Sequence, residues 1–171
     1  MIQAWQLGRR AAALAALYSV TTFAAVAAEQ AGFSNRCLRV PANQPWVATG
    51  ITVSPDEFVC VAGEGLWSHG GQGVQQIYPY YGPEGWDRDV PQEEGSEILH
   101  IGALVGRIDD NFPFLIRQQF CFIPRVTGEL RLSMDDAPGT HGNNEGYLRV
   151  RVVTWPVWNR PQRYTLRVAC P

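Results

Sequence analysis

Residues 128–152 read GELRLSMDDAPGTHGNNEGYLRVRV, in which two alternating segments stand on either side of an oxygen-rich loop. Apolar residues recur at every second position through 130–134 and again through 148–152, with polar residues between them. Because successive side chains of a strand point to opposite faces, this pattern predicts two strands that each bury one face. We expect them to form the last hairpin of the domain. The residues predicted to face inward are Leu130, Leu132, Met134, Leu148, Val150 and Val152, and those predicted to face water are Arg131, Arg149 and Arg151.

The rest of the chain carries further strand-like segments, and past residue 28 no window shows the apolar period of an amphipathic helix. Clusters of turn-forming residues, such as Ser54-Pro55-Asp56, separate these segments. Several short strands with turn signals between them predict an all-β, single-domain β-sandwich or jelly roll. The predicted strands lie at 46–53, 58–62, 98–108, 114–123, 128–134, 147–154 and 163–169.

The first 28 residues have the composition of a secretory signal peptide. Arg9 and Arg10 precede an almost wholly small and apolar run that ends in Ala-Val-Ala-Ala. A basic start, an apolar middle and a small-residue end are typical of such a peptide. The alternative is a membrane anchor, but the run is alanine-rich and near the lower length limit for crossing a bilayer. We therefore expect residues 1–28 to be removed, leaving a domain of residues 29–171 that is periplasmic or secreted.

The four cysteines predict two disulfides. Cys37, Cys60, Cys121 and Cys170 show neither a C-x-x-C pair nor zinc-site spacing, and an even number behind a signal peptide indicates a disulfide framework. Three pairings are possible. We favour Cys37–Cys170, because both lie near the ends of the mature chain, and Cys60–Cys121, because both lie within internal strand-like segments.

Charge and motifs disfavour several functional classes. Past residue 28, 12 arginines are scattered singly against 16 acidic residues and the sequence contains no lysine, so no basic face is available for nucleic acid or an anionic membrane. No G-x-S-x-G nucleophile motif is present. The three histidines, His69, His100 and His141, stand far apart, and His141 is predicted to be a solvent-facing turn residue. We predict that the protein is not an enzyme.

The loop between the two alternating segments is rich in the ligands that calcium prefers. Asp135 or Asp136 can supply carboxylate oxygen, and Asn143 and Asn144 can supply amide oxygen. Calcium takes roughly six to eight oxygen ligands in flexible geometry. The spacing is not that of an EF-hand. The alternative interpretation is a solvated loop, since Asp, Asn, Gly and Pro are the usual turn formers.

Four segments of the chain, in order, resemble the PA-IL (LecA) family of calcium-dependent, galactose-binding bacterial lectins. The loop segment DAPGTHGNNEG at 136–146 resembles the calcium loop of that family. The other three are VAGEGLWSHG at 61–70, YGPEGWDRDVP at 81–91 and GALVGRI at 102–108. The resemblance covers roughly residues 46 to 153 and implies a jelly-roll β-sandwich in which sugar hydroxyls coordinate a bound calcium.

The resemblance also implies which residues form the site. The metal ligands carried over by position are Asp136, Asn143 and Asn144 through side-chain oxygens, and Thr140 and His69 through backbone carbonyls. The carbohydrate-contacting residues would be Asp136, Thr140, Asn143, Glu93 and Trp86. The partner is then a glycan, and an oligomer is compatible with the family.

The chain departs from the family in two places. Val90 and Glu93 stand where the family has a sugar-contacting histidine and glutamine, so calcium binding is implied more strongly than galactose specificity. The chain also continues beyond the last family strand, which predicts an extra C-terminal strand at 163–169 and a disulfide there. The alternative function is an envelope structural or interaction domain, in which the loop binds calcium only for rigidity or not at all.

Overall fold

The structure, a computed structural model, describes residues 33–70, 79–86, 100–162 and 164–170. The predicted signal peptide lies outside these residues. Within them, no helix has the length and apolar character needed to cross a bilayer. The strands are β1 Ser34–Pro41, β2 Val47–Val53, β3 Glu57–Ser68, β4 Leu104–Ile108, β5 Phe114–Leu115, β6 Gln119–Phe122, β7 Gly128–Met134 and β8 Glu145–Pro156.

The strands form two four-stranded sheets in which every pairing is antiparallel. The first sheet has the order β1-β8-β3-β6 and the second has the order β2-β7-β4-β5. Eight antiparallel strands divided in this way between two sheets form a jelly roll. The predicted all-β sandwich is therefore confirmed.

The core lies between the two sheets and contains the inward faces that the alternation predicts. All six of the residues predicted to face inward are at most 1% exposed, and they belong to one apolar cluster with Val59, Trp67 and Leu104. Burying a side chain of this size contributes roughly 1.5–3 kcal/mol to stability. Of the three arginines predicted to face water, Arg149 is exposed and ion-paired with Glu64, and the other two are half-buried.

The predicted final hairpin is wrong. Strand β7 pairs with β2 and β4, whereas β8 pairs with β1 and β3, so the two strands lie in opposite sheets. The loop at 135–144 crosses from one layer to the other over a core about 10 Å thick. Alternation shows which side chains are buried but not which strand lies beside them. A connection much longer than a two-residue turn is consistent with this crossing.

Several strand boundaries also differ from the prediction. Strand β3 continues to Ser68 although it contains Gly63 and Gly65, because β8 pairs with it along its whole length. The predicted strand at 114–123 is two strands in different sheets, and β1 was not among the predicted strands. Pairing with neighbours overrides local propensity at these places.

Both favoured disulfides are confirmed. Cys37 bonds to Cys170, and Cys60 bonds to Cys121 across the paired strands β3 and β6. The predicted extra C-terminal strand is wrong, since residues 164–170 are not part of a strand. Leu166 in this tail packs on the outer side of the first sheet, and the Gln119 side chain hydrogen-bonds to its backbone N–H at 3.0 Å. A side chain thus replaces the strand partner of the tail.

Candidate functional site

The site centres on the loop at 135–144, which leaves β7, forms a short 3-10 turn at His141–Asn143 and enters β8. At the end of the loop, Gly146 has a φ of 84°, and a Cβ there would lie 2.6 Å from the Leu66 carbonyl oxygen. Only glycine suits such a left-handed position against a neighbouring backbone. The loop is therefore held closely against the end of β3.

Asp136 supplies one of the two carboxylates of the loop. Its Oδ1 accepts a hydrogen bond from the Ala137 backbone N–H at 2.8 Å, and its Oδ2 accepts one from the Asn144 side-chain amide at 2.9 Å. The residue is half-buried. These two bonds fix the direction of the negative charge before any ligand is present.

Asn144 connects the loop to the rest of the sandwich. It is 4% exposed, and its Nδ2 also donates to the Ala42 carbonyl at 3.2 Å. Its Oδ1 accepts a hydrogen bond from the Gly70 backbone N–H at 2.9 Å. The amide orientation follows from these partners, because the nitrogen faces two acceptors and the oxygen faces a donor.

Asn143 and Thr140 lie in the same turn. A Cβ on Gly70 would be 2.5 Å from Asn143 Cγ, so Asn143 lies directly against the chain that follows β3. The Thr140 hydroxyl donates to the Ala137 carbonyl at 2.7 Å, and the Thr140 carbonyl accepts the Asn143 N–H at 3.4 Å. The long second bond leaves that carbonyl oxygen with acceptor capacity.

His69 follows β3 directly and is 8% exposed. Its backbone N–H donates to the Tyr81 hydroxyl at 3.1 Å, and that hydroxyl lies 2.6 Å from His69 Nδ1. Burial lowers the pKa of His69 and the nearby Asp136 carboxylate acts in the opposite direction, while burial raises the pKa of Tyr81. The short contact between Nδ1 and the Tyr81 hydroxyl orients the His69 ring.

The structure thus brings together four of the predicted metal ligands, and the fifth, His69, is the residue before Gly70. Asn144 is hydrogen-bonded both to Asp136 and to the backbone of Gly70. Asn143 also lies against Gly70, and its N–H donates to the carbonyl of Thr140. In the described part of the chain, no group of three or more His, Cys, Asp and Glu residues is placed to hold a metal. The donors gathered here are one carboxylate with amide and backbone oxygens, which is a set for a hard cation.

The two remaining predicted sugar contacts have different outcomes. Trp86 is half-buried, and its ring centroid lies 4.9 Å from that of His69, so it borders the predicted metal ligands. Glu93 lies outside the described residues, as does Val90.

The prediction that His141 faces solvent is wrong. The residue is 7% exposed, and its Nε2 lies 3.1 Å from the Met134 carbonyl oxygen and 3.3 Å from the Ser133 hydroxyl. Among the described residues, its buried Nδ1 has no hydrogen-bond partner. The 3-10 turn folds the ring back against the end of β7, which composition alone does not reveal.

Asp135 has a different role from its neighbour. It is 5% exposed, and its carboxylate accepts a hydrogen bond from the His100 backbone N–H. Its backbone also bonds to Ala103 at 2.8 Å and to Gly102 at 2.7 Å. Asp135 therefore anchors the segment before β4, and Asp136 is the carboxylate available to a ligand.

Sequence reasoning assigned no role to three residues that shape the site, namely Ala42, Gly70 and Tyr81. Gly70 and Tyr81 lie within the segments that carry the family resemblance, which was an available signal. Ala42 contributes only a backbone carbonyl, and no sequence pattern marks such a group.

We expect Asn144→Ala to lower the free energy of unfolding by roughly 2–4 kcal/mol, because three buried or half-buried groups that it bonds lose their partner. These are the Gly70 N–H, the Ala42 carbonyl and the Asp136 carboxylate. Urea unfolding without added metal measures the effect. Asn143→Ala is the matched control, since Asn143 is exposed and should cost much less. Equal losses would contradict a structural role specific to Asn144.

Comparison with known proteins agrees with this fold. A model of the family described as PA-IL-like protein matches residues 38–155, from β1 to β8 and through the whole loop. The chain is also similar to a solved structure described as the EclA N-terminal domain, a PllA-like lectin, with a TM-score of 0.54 and 18% identity. That match covers 70% of this chain and 95% of that chain, and at this identity it shows the fold. A sequence comparison with curated proteins finds no match. Since the family model spans more than half of its residues, the chain belongs to the PA-IL-like family.

Proposed function

We propose that this protein is an exported, calcium-dependent carbohydrate-binding protein. The observation that carries the proposal is the convergence of Asp136, Asn143 and Asn144 with the backbone that follows β3. Membership of the PA-IL-like family supports the same conclusion. The two disulfides support export, because such bonds persist in oxidising compartments.

The donor set fits calcium. Asp136 would hold the ion through its carboxylate, Asn143 and Asn144 through amide oxygens, and His69 and Thr140 through backbone carbonyls. Asn144 Oδ1 already accepts one hydrogen bond, but a carbonyl oxygen has two lone pairs and can serve a cation as well. Because one carboxylate neutralises only one of the two positive charges of calcium, the bound ion keeps a net positive charge that attracts the oxygen atoms of a ligand.

Calcium bound here would supply open coordination positions that vicinal sugar hydroxyls can fill. The side chains of Asp136 and Asn143 would form hydrogen bonds with the sugar hydroxyls, and the carboxylate of Asp136 would act as an acceptor. The ring of Trp86 would pack against the apolar C–H face of a pyranose. The role is binding rather than catalysis. The proposal does not extend to galactose specificity, because Val90 and Glu93 stand where the family has its sugar-contacting histidine and glutamine.

A second candidate is a structural domain of the envelope that binds no glycan. One observation favours it: each oxygen of the Asp136 carboxylate already accepts a hydrogen bond from within the loop, so these bonds hold the loop without a metal. In that case calcium would add rigidity or would not bind.

A glycan array distinguishes the two candidates. The mature protein is applied with about 1 mM calcium, the upper end of the Kd range of extracellular calcium-binding modules, and again with excess EDTA. We expect binding to at least one glycan class that EDTA abolishes and calcium restores. Calcium-induced stabilisation without glycan binding, or no response to either, would favour the structural domain.

A further inference from the structure

A cleft of about 980 Å³ runs along the outer face of the second sheet, next to the loop. Val105 and Ser133 are partners across β4 and β7, and both point away from the core while remaining 1% exposed. Val105 lines the cleft, and Trp46 and His141 form part of its walls. This cleft lies outside the set of predicted metal ligands, except where it reaches Asp136.

Two aromatic rings give the cleft apolar surface. Trp46 is half-buried, and the Arg107 guanidinium lies 4.2 Å from its ring centroid, so one face of the ring is held in place. Phe112 is 93% exposed. Because Phe112 also lines the cleft, its ring offers apolar surface to a molecule bound there.

The charges of the cleft oppose an anionic ligand. The Arg107 guanidinium is paired with Asp110 at 3.0 Å, and the lining also includes Asp135 and Asp136. Three carboxylates against one guanidinium leave a negative balance. Planar polar groups beside aromatic rings suit a neutral ligand that has both hydroxyl groups and apolar faces.

The cleft reaches the loop of the proposed glycan site and shares Asp136 with it. Asp136, Pro138 and Gly139 belong to the loop and also line one end of the cleft, while Asp110 and Phe112 lie beyond the far end of β4. Met134 pairs with Leu104 at the loop end of β4, and Leu130 pairs with Ile108 at its far end. These two positions are four residues apart along β7, so the cleft extends for roughly 13 Å. That length exceeds one sugar ring.

We infer that this cleft is an extended subsite for the second and later sugar rings of a neutral oligosaccharide whose terminal ring occupies the loop. The inference rests on the proposed function. Phe112 and the face of Trp46 that Arg107 does not cover would contact the apolar faces of those rings. The side chains of Asn111 and Asp110 would form hydrogen bonds with their hydroxyl groups. The protein would then prefer a glycan chain over its terminal monosaccharide.

Phe112→Ala tests the inference, because a side chain this exposed contributes little to folding. Calorimetric titration in the presence of calcium measures the affinity for four monosaccharides, namely galactose, glucose, mannose and N-acetylglucosamine. Each value is compared with the affinity for a tetrasaccharide that ends in the same sugar. We expect the wild type to bind a tetrasaccharide more tightly. The variant should lose about twofold to tenfold in tetrasaccharide affinity, the range for one aromatic contact, with monosaccharide affinity unchanged. Phe112→Tyr should retain the preference.

Trp158→Ala is the matched control, since Trp158 is 85% exposed but follows the far end of β8 and does not line the cleft. It should leave both affinities unchanged. Equal affinities of Phe112→Ala and wild type for the tetrasaccharide, or equal losses for both sugars, would overturn the subsite while leaving the proposed function intact. Failure of the wild type to bind any of these sugars would overturn the inference, and failure across the whole glycan array would overturn the proposed function as well.

Discussion

Asp136→Ala is expected to abolish the rise in melting temperature that calcium produces in the wild type. At a free calcium concentration of about 100 times Kd, the ion stabilises the folded state by about 2.7 kcal/mol. For a domain of this size, that corresponds to a shift on the order of 10 °C. Asp136 is the carboxylate of the proposed ligand set, so its loss removes the strongest attraction for the ion. Differential scanning calorimetry with calcium and with EDTA measures both proteins.

Two further variants make this result specific. Asp136→Asn keeps the size of the side chain, so it should unfold near the wild type in EDTA and yet lose the calcium response. Asp56→Ala removes an exposed carboxylate from the turn before β3 and should keep the full response. A calcium shift that survives in both Asp136 variants would place the ion elsewhere and remove the basis of the proposed function.

The double variant Cys37→Ala with Cys170→Ala is expected to lose about 5 kcal/mol of stability. The disulfide joins residues separated by 133 positions, and loop-closure entropy of the unfolded chain grows with that separation. A loss of this size is a large fraction of the stability of an ordinary domain. The melting temperature should fall on the order of 15 °C, measured on oxidised protein in EDTA.

The single variant Cys37→Ala provides the control, because it lacks the same bond but changes only one side chain. It should melt close to the double variant. Alkylation of the intact protein under denaturing conditions should modify no cysteine in the wild type and one in the single variant. A double variant that melts within about 2 °C of the wild type would show that the bond contributes little, contrary to the entropy argument.

The sequence predicts the burial pattern of this fold better than its connectivity. Alternation identified the buried faces of β7 and β8, because side-chain direction depends only on position along a strand. It paired them wrongly, since the choice of neighbour depends on distant segments such as β3, which binds β8 along its whole length. The strand predicted for the C-terminal tail is wrong for the same reason: its local pattern is strand-like, but its partner is the Gln119 side chain.

The candidate site was predictable where it depends on side-chain oxygen and not where it depends on backbone. Asp136, Asn143 and Asn144 were marked by their chemistry and by the family resemblance. The Gly70 N–H and the Ala42 carbonyl, which hold Asn144, are groups that any residue carries. The buried position of His141 also follows from the path of a short turn rather than from residue type.

The crossing of the loop at 135–144 between the two layers limits how members of such a lineage can diverge. Its ends are fixed by strands on opposite sides of the core, so the number of residues must suffice to reach across. Substitution can alter which ligand is recognised without disturbing that reach. The residues of the loop could span about 33 Å when extended, well beyond the layer spacing of about 10 Å, so the surplus length is available for the turn at His141–Asn143. Related proteins can therefore change the residues of this loop while keeping the sheets aligned, but a two-residue hairpin turn cannot replace it.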